Sequence, residues 1–270
     1  MDALTVEPRE PGYFERIWQL RYFWFSLVKI DLRTRYRRSV LGLGWSLVRP
    51  IAMTVILCLV FKGLWGRKIE EFAPMLLAGL VLWDYVSTAA KSGCHCFFQG
   101  EQYIRQHPAP IAIYPLRTAL GETVHFLLAL CVVFGLSWFL YGFSNLPALL
   151  SLVPTLVLLF LFAWALALIA GFANVYFQDT QHLTDVGFQI QFYATPIINP
   201  QEQFSERPRL TALIRCNPLI PFFDLVREPI VHGIVPGPAT FMQAALTVLA
   251  VGLFAVFVCH RAQRQLIFHL

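Results

Sequence analysis

The chain has 270 residues, of which 57% are hydrophobic and 14% charged, and its mean hydropathy is +0.59. Soluble domains usually have about a quarter of their residues charged, so this composition excludes an ordinary soluble protein and predicts an integral membrane protein of about six helical spans. The formal net charge of +5 does not predict nucleic-acid binding. The basic residues are concentrated beside apolar segments, where membrane orientation and anionic lipids explain them better.

Residues 1–40 are predicted to form a cytoplasmic tail and an amphipathic helix at the membrane interface. The first residues lack a basic segment followed by an apolar core, so no cleavable signal peptide is predicted. The helix is expected from about Tyr13 to Arg38, and an apolar and a basic stripe along it favour an interfacial position. The stripes consist of Leu20, Phe23, Leu27 and Ile30, and of Lys29, Arg33 and Arg37, respectively. A soluble helix packed on the cytoplasmic face is the alternative.

The first span is predicted from Trp45 to Trp65, which at helical rise are roughly 30 Å apart, the thickness of the hydrocarbon core. The indoles would lie at the two interfaces. The basic cluster Lys29, Arg33, Arg35, Arg37 and Arg38 precedes this span, so the positive-inside rule places the N-terminus in the cytoplasm. Arg49 and Pro50 fall near the start of the span, where the arginine can extend to the interface.

Residues 41–270 are predicted to form one transmembrane domain. Further spans are expected at Phe72–Ala90, Leu116–Tyr141, Ala148–Phe172 and Thr240–Cys259. A weaker fifth segment, Asp185–Ile198, is short and polar, which favours a position inside the bundle or beside a cavity. An even number of spans returns the C-terminus to the cytoplasm. Asp84, inside the second span, is a functional candidate because ionisable groups are costly there.

The region of about residues 199–238 is predicted to form short re-entrant helices on the outer side. Pro218, Pro221 and Pro229 prevent a long helix, while the residues between them are too apolar to remain solvated. Phe222 and Phe223 are the expected outer gate. Asp224 and Arg227 are expected at the water surface or paired across two copies of the chain. A peripheral cap over the bundle is the alternative.

Several catalytic and nucleotide-binding motifs are missing. Without G-x-x-x-x-G-K-[ST] the chain is not expected to bind ATP, and H-E-x-x-H and G-x-S-x-G are also missing. Neither a cofactor nor a metal is predicted, since Cys94-His95-Cys96 has no second pair of ligands. An integral membrane glycosyl- or acyltransferase and a secondary carrier remain alternatives to a transporter subunit.

The order of several segments resembles the membrane (permease) subunit of ABC-type polysaccharide exporters, the class that serves O-antigen, capsule and teichoic acid. The matching segments are DLRTRYRRSVLGLGWSLVRPIAMTVILCLVFKGLWG, IRQHPAPIAIYPL, NVYFQDT, TPIINP and NPLIPFFDLVREPIVHG. In NVYFQDT, Gln178 replaces an arginine common in this class, which leaves Asp179 without that partner.

The resemblance implies an all-α fold with six transmembrane helices, a cytoplasmic amphipathic helix and outer re-entrant gate helices. It also implies a homodimeric channel in the bacterial inner membrane with both termini cytoplasmic. A separate ATPase subunit would bind ATP, and the substrate would be a lipid-linked glycan such as O-antigen.

Two sets of candidate residues complete the prediction. A short helix ended before Pro108 is expected to dock on the ATPase; its contact residues are Glu101, Tyr103, Ile104 and Arg105. A plain connecting loop is the alternative. Sugars present C–H faces and hydroxyls, so the translocation path is expected to use aromatic and neutral polar groups. These are Phe188, Gln189, Phe192 and Tyr193, with Trp83 and Tyr85 behind them.

Overall fold

The computed structural model describes residues 12–65, 68–106, 109–142, 145–197, 217–263 and 265–270, and these ranges contain helices and no strand. The helices are α1 (Tyr13–Gln19), α2 (Arg21–Arg35), α3 (Trp45–Trp65), α4 (Ile69–Cys94), α5 (Cys96–Gln106), α6 (Ile113–Tyr141), α7 (Leu146–Leu150), α8 (Leu152–Tyr176), α9 (Thr180–Ala194), α10 (Ile220–Arg227), α11 (Pro238–Ala262) and α12 (Leu266–His269). A 3₁₀ turn, Gly42–Gly44, precedes α3, and a π turn, Glu228–His232, follows α10. The predicted all-α class is confirmed.

Five stretches of the described chain are long and apolar enough to cross a membrane: Gly42–Lys62, Phe72–Cys94, Ile113–Tyr141, Leu146–Tyr176 and Pro238–Ala262. The predicted first span has the same bounds as α3, and the other four predictions overlap the observed helices. The chain is therefore a multi-pass membrane protein. Gly142 ends α6 with a φ of 82°, a conformation that glycine adopts without strain.

The weaker fifth segment is displaced from its prediction, because α9 begins at Thr180 rather than at Asp185 and ends at Ala194. The buried Asn174 fixes this start. Its side-chain Oδ1 accepts a hydrogen bond from the backbone N–H of Gln181 (3.2 Å), and its Nδ2 donates to the carbonyl of Cys94 (2.8 Å). At helical rise α9 is about 22 Å long, shorter than a typical hydrocarbon core.

Helix α4 forms the centre of the bundle. In its most apolar stretch 83% of the residues are buried, against 17% for α3 and 11% for α11. It packs against α3, α6, α8, α9 and α10. Gly93 permits a close approach of α8, because a Cβ there would overlap the backbone of Ala167.

Both ends of the described chain lie at one end of the bundle. The hydroxyl of Tyr13 accepts a hydrogen bond from the N–H of Ala112 (3.2 Å) and lies 3.8 Å from the sulfur of Cys259, near the end of α11. The ring of His269 packs on Tyr176 at 4.7 Å. We call this end, which holds α1, α2, α5 and α12, the basic end; the opposite end, which holds α7, is the distal end.

The predicted amphipathic helix is divided into two, since α1 stops at Gln19 and α2 runs from Arg21 to Arg35. Its apolar stripe is buried only in part. Leu27 is buried and Leu20 and Phe23 pack against the core, whereas Ile30 is exposed.

Candidate functional site

Three of the predicted path residues form one aromatic cluster that joins α9 to α4. The ring centroid of Trp83 lies 5.7 Å from that of Phe188 and 5.6 Å from that of Phe192, both edge to face. Trp83 is buried. Gln189 and Tyr193 lie on the exposed side of α9, where Tyr193 is 76% exposed.

The exposed side of α9 carries an apolar stripe at helical spacing. Its members are Leu183, Val186, Ile190 and Tyr193. On the opposite side α9 is tied to its own chain by the ion pair between Lys91 and Asp185 (3.0 Å) and by the aromatic cluster. The stripe therefore faces away from the bundle of its own chain.

Tyr85 lies apart from the aromatic cluster. Its ring stacks on Phe126 with centroids 4.4 Å apart, and its hydroxyl lies 2.9 Å from the hydroxyl of Thr123. It lines a polar recess between the start of α3, α4 and α6, so the structure does not bring Tyr85 together with the other path candidates.

The polar recess has an inner part of about 190 Å³ and an adjoining outer part of about 350 Å³. Arg35, Trp45 and Ser46 line both parts. The inner part is lined by four charged side chains and one histidine: Arg35, Arg49, Asp84, Glu122 and His125. These groups lie against α3, α4 and α6, where ionisable side chains are costly and usually serve function.

Glu122 is the most connected group of the recess. Its Oε1 accepts hydrogen bonds from Arg35 of α2 (3.0 Å) and from Ser92 of α4 (3.1 Å). Next to it, the hydroxyl of Tyr36 lies 3.3 Å from the ring of His125, and burial raises the pKa of Tyr36. The tyrosine therefore remains a neutral hydrogen-bonding group.

The sequence contained a signal for three members of the recess, since Arg49, Asp84 and Glu122 interrupt apolar segments. Asp84 was a candidate. The recess itself was not predicted, because the residues that line it are distant in sequence. They come together only where three helices pack against one another.

The outer-gate candidates are packed inside their own chain. Phe222 and Phe223 are buried, and the ring of Phe222 stacks on Phe162 at 5.0 Å. Residues 199–216 of the predicted gate region lie outside the described residues. The burial of both rings agrees better with the alternative interpretation, a cap over the bundle, than with an exposed gate.

The prediction that Arg227 remains at the water surface is wrong. Its guanidinium donates from Nη1 to the carbonyl of Pro196 (3.3 Å) and from Nη2 to that of Ile197 (2.5 Å), and it lies 5.2 Å from the ring centroid of Phe223. Carbonyls that follow the last turn of α9 attract a cation. Burial lowers the pKa of Arg227 and raises that of the half-buried Asp224.

The predicted docking helix exists as α5 and ends at Gln106. Glu101 and Arg105 form an exposed ion pair of 2.9 Å, and Tyr103 packs edge to face on Phe23 of α2 at 5.9 Å. Ile104 is only 7% exposed and belongs to the chain's own core. The prediction that Ile104 contacts a partner is therefore wrong.

The basic stripe of the interface helix is exposed, as Lys29, Arg33 and Arg37 all reach solvent. A second surface set on α1 and α2 was not predicted: the exposed Trp18, Tyr22 and Phe25 and the half-buried Arg21. The guanidinium of Arg21 lies 4.8 Å from the ring centroid of Tyr22. Aromatic and basic side chains on one surface suit the headgroup region of a bilayer.

In the described ranges, no three His, Cys, Asp or Glu side chains are placed to hold a metal ion. The arrangement offers a charged recess at the basic end, aromatic packing between α4 and α9, and an exposed apolar stripe. These features define a multi-pass membrane protein with a charged recess between its helices.

The chain belongs to the ABC-2 type transporter family, whose model matches residues 22–231. It is thus the membrane component of a transporter and not an enzyme. Similar proteins include the O-antigen export system permease protein RfbA of Klebsiella pneumoniae, 27% identical over 224 residues that make up 81% of this chain and 85% of the relative.

Two further relatives extend the comparison. RfbA of Myxococcus xanthus, also an O-antigen export system permease protein, is 26% identical over 76% of this chain and 78% of its own length. The polysialic acid transport protein KpsM of Escherichia coli is 21% identical over 87% of this chain and 91% of its own length. The resemblance drawn from the sequence motifs is confirmed.

Proposed function

We propose that the chain is the permease subunit of an ATP-driven exporter that moves a lipid-linked polysaccharide, such as O-antigen, across the bacterial inner membrane. The observation that carries this proposal is the similarity to proteins named as O-antigen and polysialic acid export permeases over at least three quarters of the chain. The charged recess at the basic end supports a substrate with a polar head, because buried ionisable groups in membrane helices usually serve function.

In the proposed topology α9 is an additional, short crossing. Five full spans would leave the two ends of the chain on opposite sides, whereas Tyr13 lies beside Cys259 near the end of α11. Starting next to Asn174 and Cys94 at the basic end, α9 leads toward α10. The basic cluster supports a cytoplasmic location for this end and for both termini.

The active unit is proposed to be a homodimer with the glycan path between the two copies. The centre of one copy is filled by α4, so a polymer is better accommodated along exposed surfaces than through the packed core. The apolar stripe Leu183, Val186, Ile190 and Tyr193 offers such a surface. Gln189 and Tyr193 are the path candidates best placed for it, while Trp83, Phe188 and Phe192 hold α9 in position.

The separate ATPase subunit is proposed to dock on α5 through Glu101, Arg105 and the exposed edge of Tyr103, and to bind the ATP. Helix α5 contains the Glu101–Arg105 ion pair and packs against α2 and α6. These contacts support its role as a rigid element at the cytoplasmic surface. On the outer side, α10 with the buried rings of Phe222 and Phe223 is proposed to cap the bundle.

Co-expression with candidate ABC ATPases tests the function. The full chain should co-purify with one of them, the complex should hydrolyse ATP, and a strain lacking the chain should retain its lipid-linked glycan inside. Export that continues in such a strain, with no ATPase bound to the chain, would refute the proposal.

The docking site is tested by Arg105→Glu, with Lys62→Glu as a control because it reverses an exposed charge on α3. We expect Arg105→Glu to reduce the yield of co-purified ATPase and the control to leave it unchanged. Equal yields from the two variants would place the docking surface elsewhere.

Cysteine labelling tests the path. In a background whose native cysteines are replaced, Gln189→Cys and Tyr193→Cys should react with a membrane-impermeant thiol reagent during turnover. Val256→Cys, on the exposed side of α11, should stay protected by lipid. Equal protection at all three positions would contradict a path along α9.

A further inference from the structure

We infer that the polar recess binds the phosphate group that joins the glycan to its lipid carrier, with Arg35 and Arg49 as the phosphate ligands. This inference rests on the proposed function. It assigns a binding role to a cavity that lies apart from the path candidates on α9.

Arg49 is an available cation. It lines the inner part of the recess and is exposed. The Asp84 carboxylate interacts with it electrostatically, but no hydrogen bond or ion pair of its guanidinium is found among the described residues. Its guanidinium presents five N–H donors in a planar fork that matches phosphate oxygens.

Arg35 adds a second cation on the other side of the opening. Its Nη1 is used by Glu122 at 3.0 Å, and its side chain remains 52% exposed. The same residue lines both the inner and the outer part of the recess. A phosphate entering from the basic end would therefore meet Arg35 first and could be shared with Arg49.

The recess lies at a depth suited to a lipid phosphate. It is formed at the start of α3, where the exposed indole of Trp45 is expected at the membrane interface. Farther along α3, the exposed Val48, Val55 and Leu59 offer an apolar surface to an acyl or polyprenyl chain. One amphiphile could thus place its phosphate in the recess and its tail along α3.

The interior of the recess suits the sugar that is attached to the phosphate in a lipid-linked glycan. Asp84 and Thr88 line the recess and are partly exposed to it, so they can exchange hydrogen bonds with sugar hydroxyls. The inner volume of about 190 Å³ is several times the roughly 30 Å³ occupied by a water molecule in the liquid.

The test measures binding of a polyprenyl diphosphate without glycan to the full chain, in complex with its ATPase, in nanodiscs of neutral lipid. Arg49→Gln and Arg35→Gln should each weaken binding by about tenfold or more, since a charge-assisted hydrogen bond contributes about 1.5–3 kcal/mol. Arg49→Lys should retain part of the affinity. Arg38→Gln removes an equal charge from the nearby linker, outside the recess, and should bind as the wild type does.

Two results would overturn the inference. One is unchanged affinity in both Arg49→Gln and Arg35→Gln, with thermal unfolding like that of the wild type. The other is displacement of the diphosphate by an equal concentration of phosphatidylglycerol, which would indicate a general lipid site. Either result can occur while ATP-driven export persists, whereas loss of the proposed function would appear as absent export and absent ATPase coupling.

Discussion

Gly79 of α4 allows Arg227 to reach its carbonyl partners, and Gly79→Ala tests this arrangement. A Cβ at position 79 would overlap Nη2 of Arg227 and lie 3.2 Å from its Cζ and 3.3 Å from Cγ2 of Ile197. The guanidinium is bonded to the carbonyls of Pro196 and Ile197 and lies over the ring of Phe223, so it can move away only by losing these contacts. The new methyl group should therefore break at least one of the two hydrogen bonds of Arg227.

The expected loss of stability can be estimated. Overpacking costs about 1–3 kcal/mol, and losing a hydrogen bond to a charged group costs about 1.5–3 kcal/mol. The better helix propensity of alanine returns up to about 1 kcal/mol. We expect a net decrease in the free energy of unfolding of about 1.5–6 kcal/mol, measured by denaturant unfolding of the purified chain in detergent.

Gly135→Ala is the matched control, since this glycine lies inside α6 and a Cβ there would meet nothing within 4 Å. Its stability should be unchanged or slightly higher. In an Arg227→Ala background, Gly79→Ala should cost much less, because the group it collides with is gone. A Gly79→Ala variant as stable as Gly135→Ala would refute the proposed packing.

Three further contacts allow similar tests by thermal unfolding or hydrogen exchange. Asp31→Asn should destabilise the chain by about 2–4 kcal/mol, because it leaves the buried Arg117 without its ion-pair partner. Adding Arg117→Met should restore part of this stability, and a double variant with no recovery would contradict the explanation. Gly100→Ala should speed amide hydrogen exchange in α5, since its Cβ would overlap the ring of Tyr114. Gly121→Ala, where a Cβ meets nothing within 4 Å, should not, and equal exchange rates in the two variants would count against this contact. Asn174→Ala should cost about 1–3 kcal/mol through the unpaired groups it leaves at Cys94 and Gln181, and a cost below about 0.5 kcal/mol would disprove that role.

The long spans were predictable because the length of a continuous apolar segment can be determined from the local sequence alone. The interfacial tryptophans bound α3 correctly, and the charged and Pro-rich stretches delimited the remaining spans. The start of α9 was not predictable in this way, since it depends on Asn174, a residue of the preceding helix. The hydropathy of a short segment carries no information about a hydrogen bond to another helix.

The roles of single residues were harder to predict, because burial depends on neighbours distant in sequence. Arg227 was expected at the surface as a charged residue, but the free carbonyls of Pro196 and Ile197 and the space above Gly79 provide a buried site for it. Ile104 was expected to face a partner, yet its own core covers it. Conversely, Arg49 and Asp84 were noticed separately, and only the packing of α3 on α4 places them in one recess.

The contacts at the basic end join the proposed docking helix to the recess. Gly100 of α5 lies against Tyr114 of α6, and Glu122, farther along α6, bonds to both Arg35 and Ser92. These contacts connect the proposed docking helix to Arg35, one of the two proposed phosphate ligands. We therefore expect docking of an ATPase on α5 to affect the binding of a lipid phosphate in the recess.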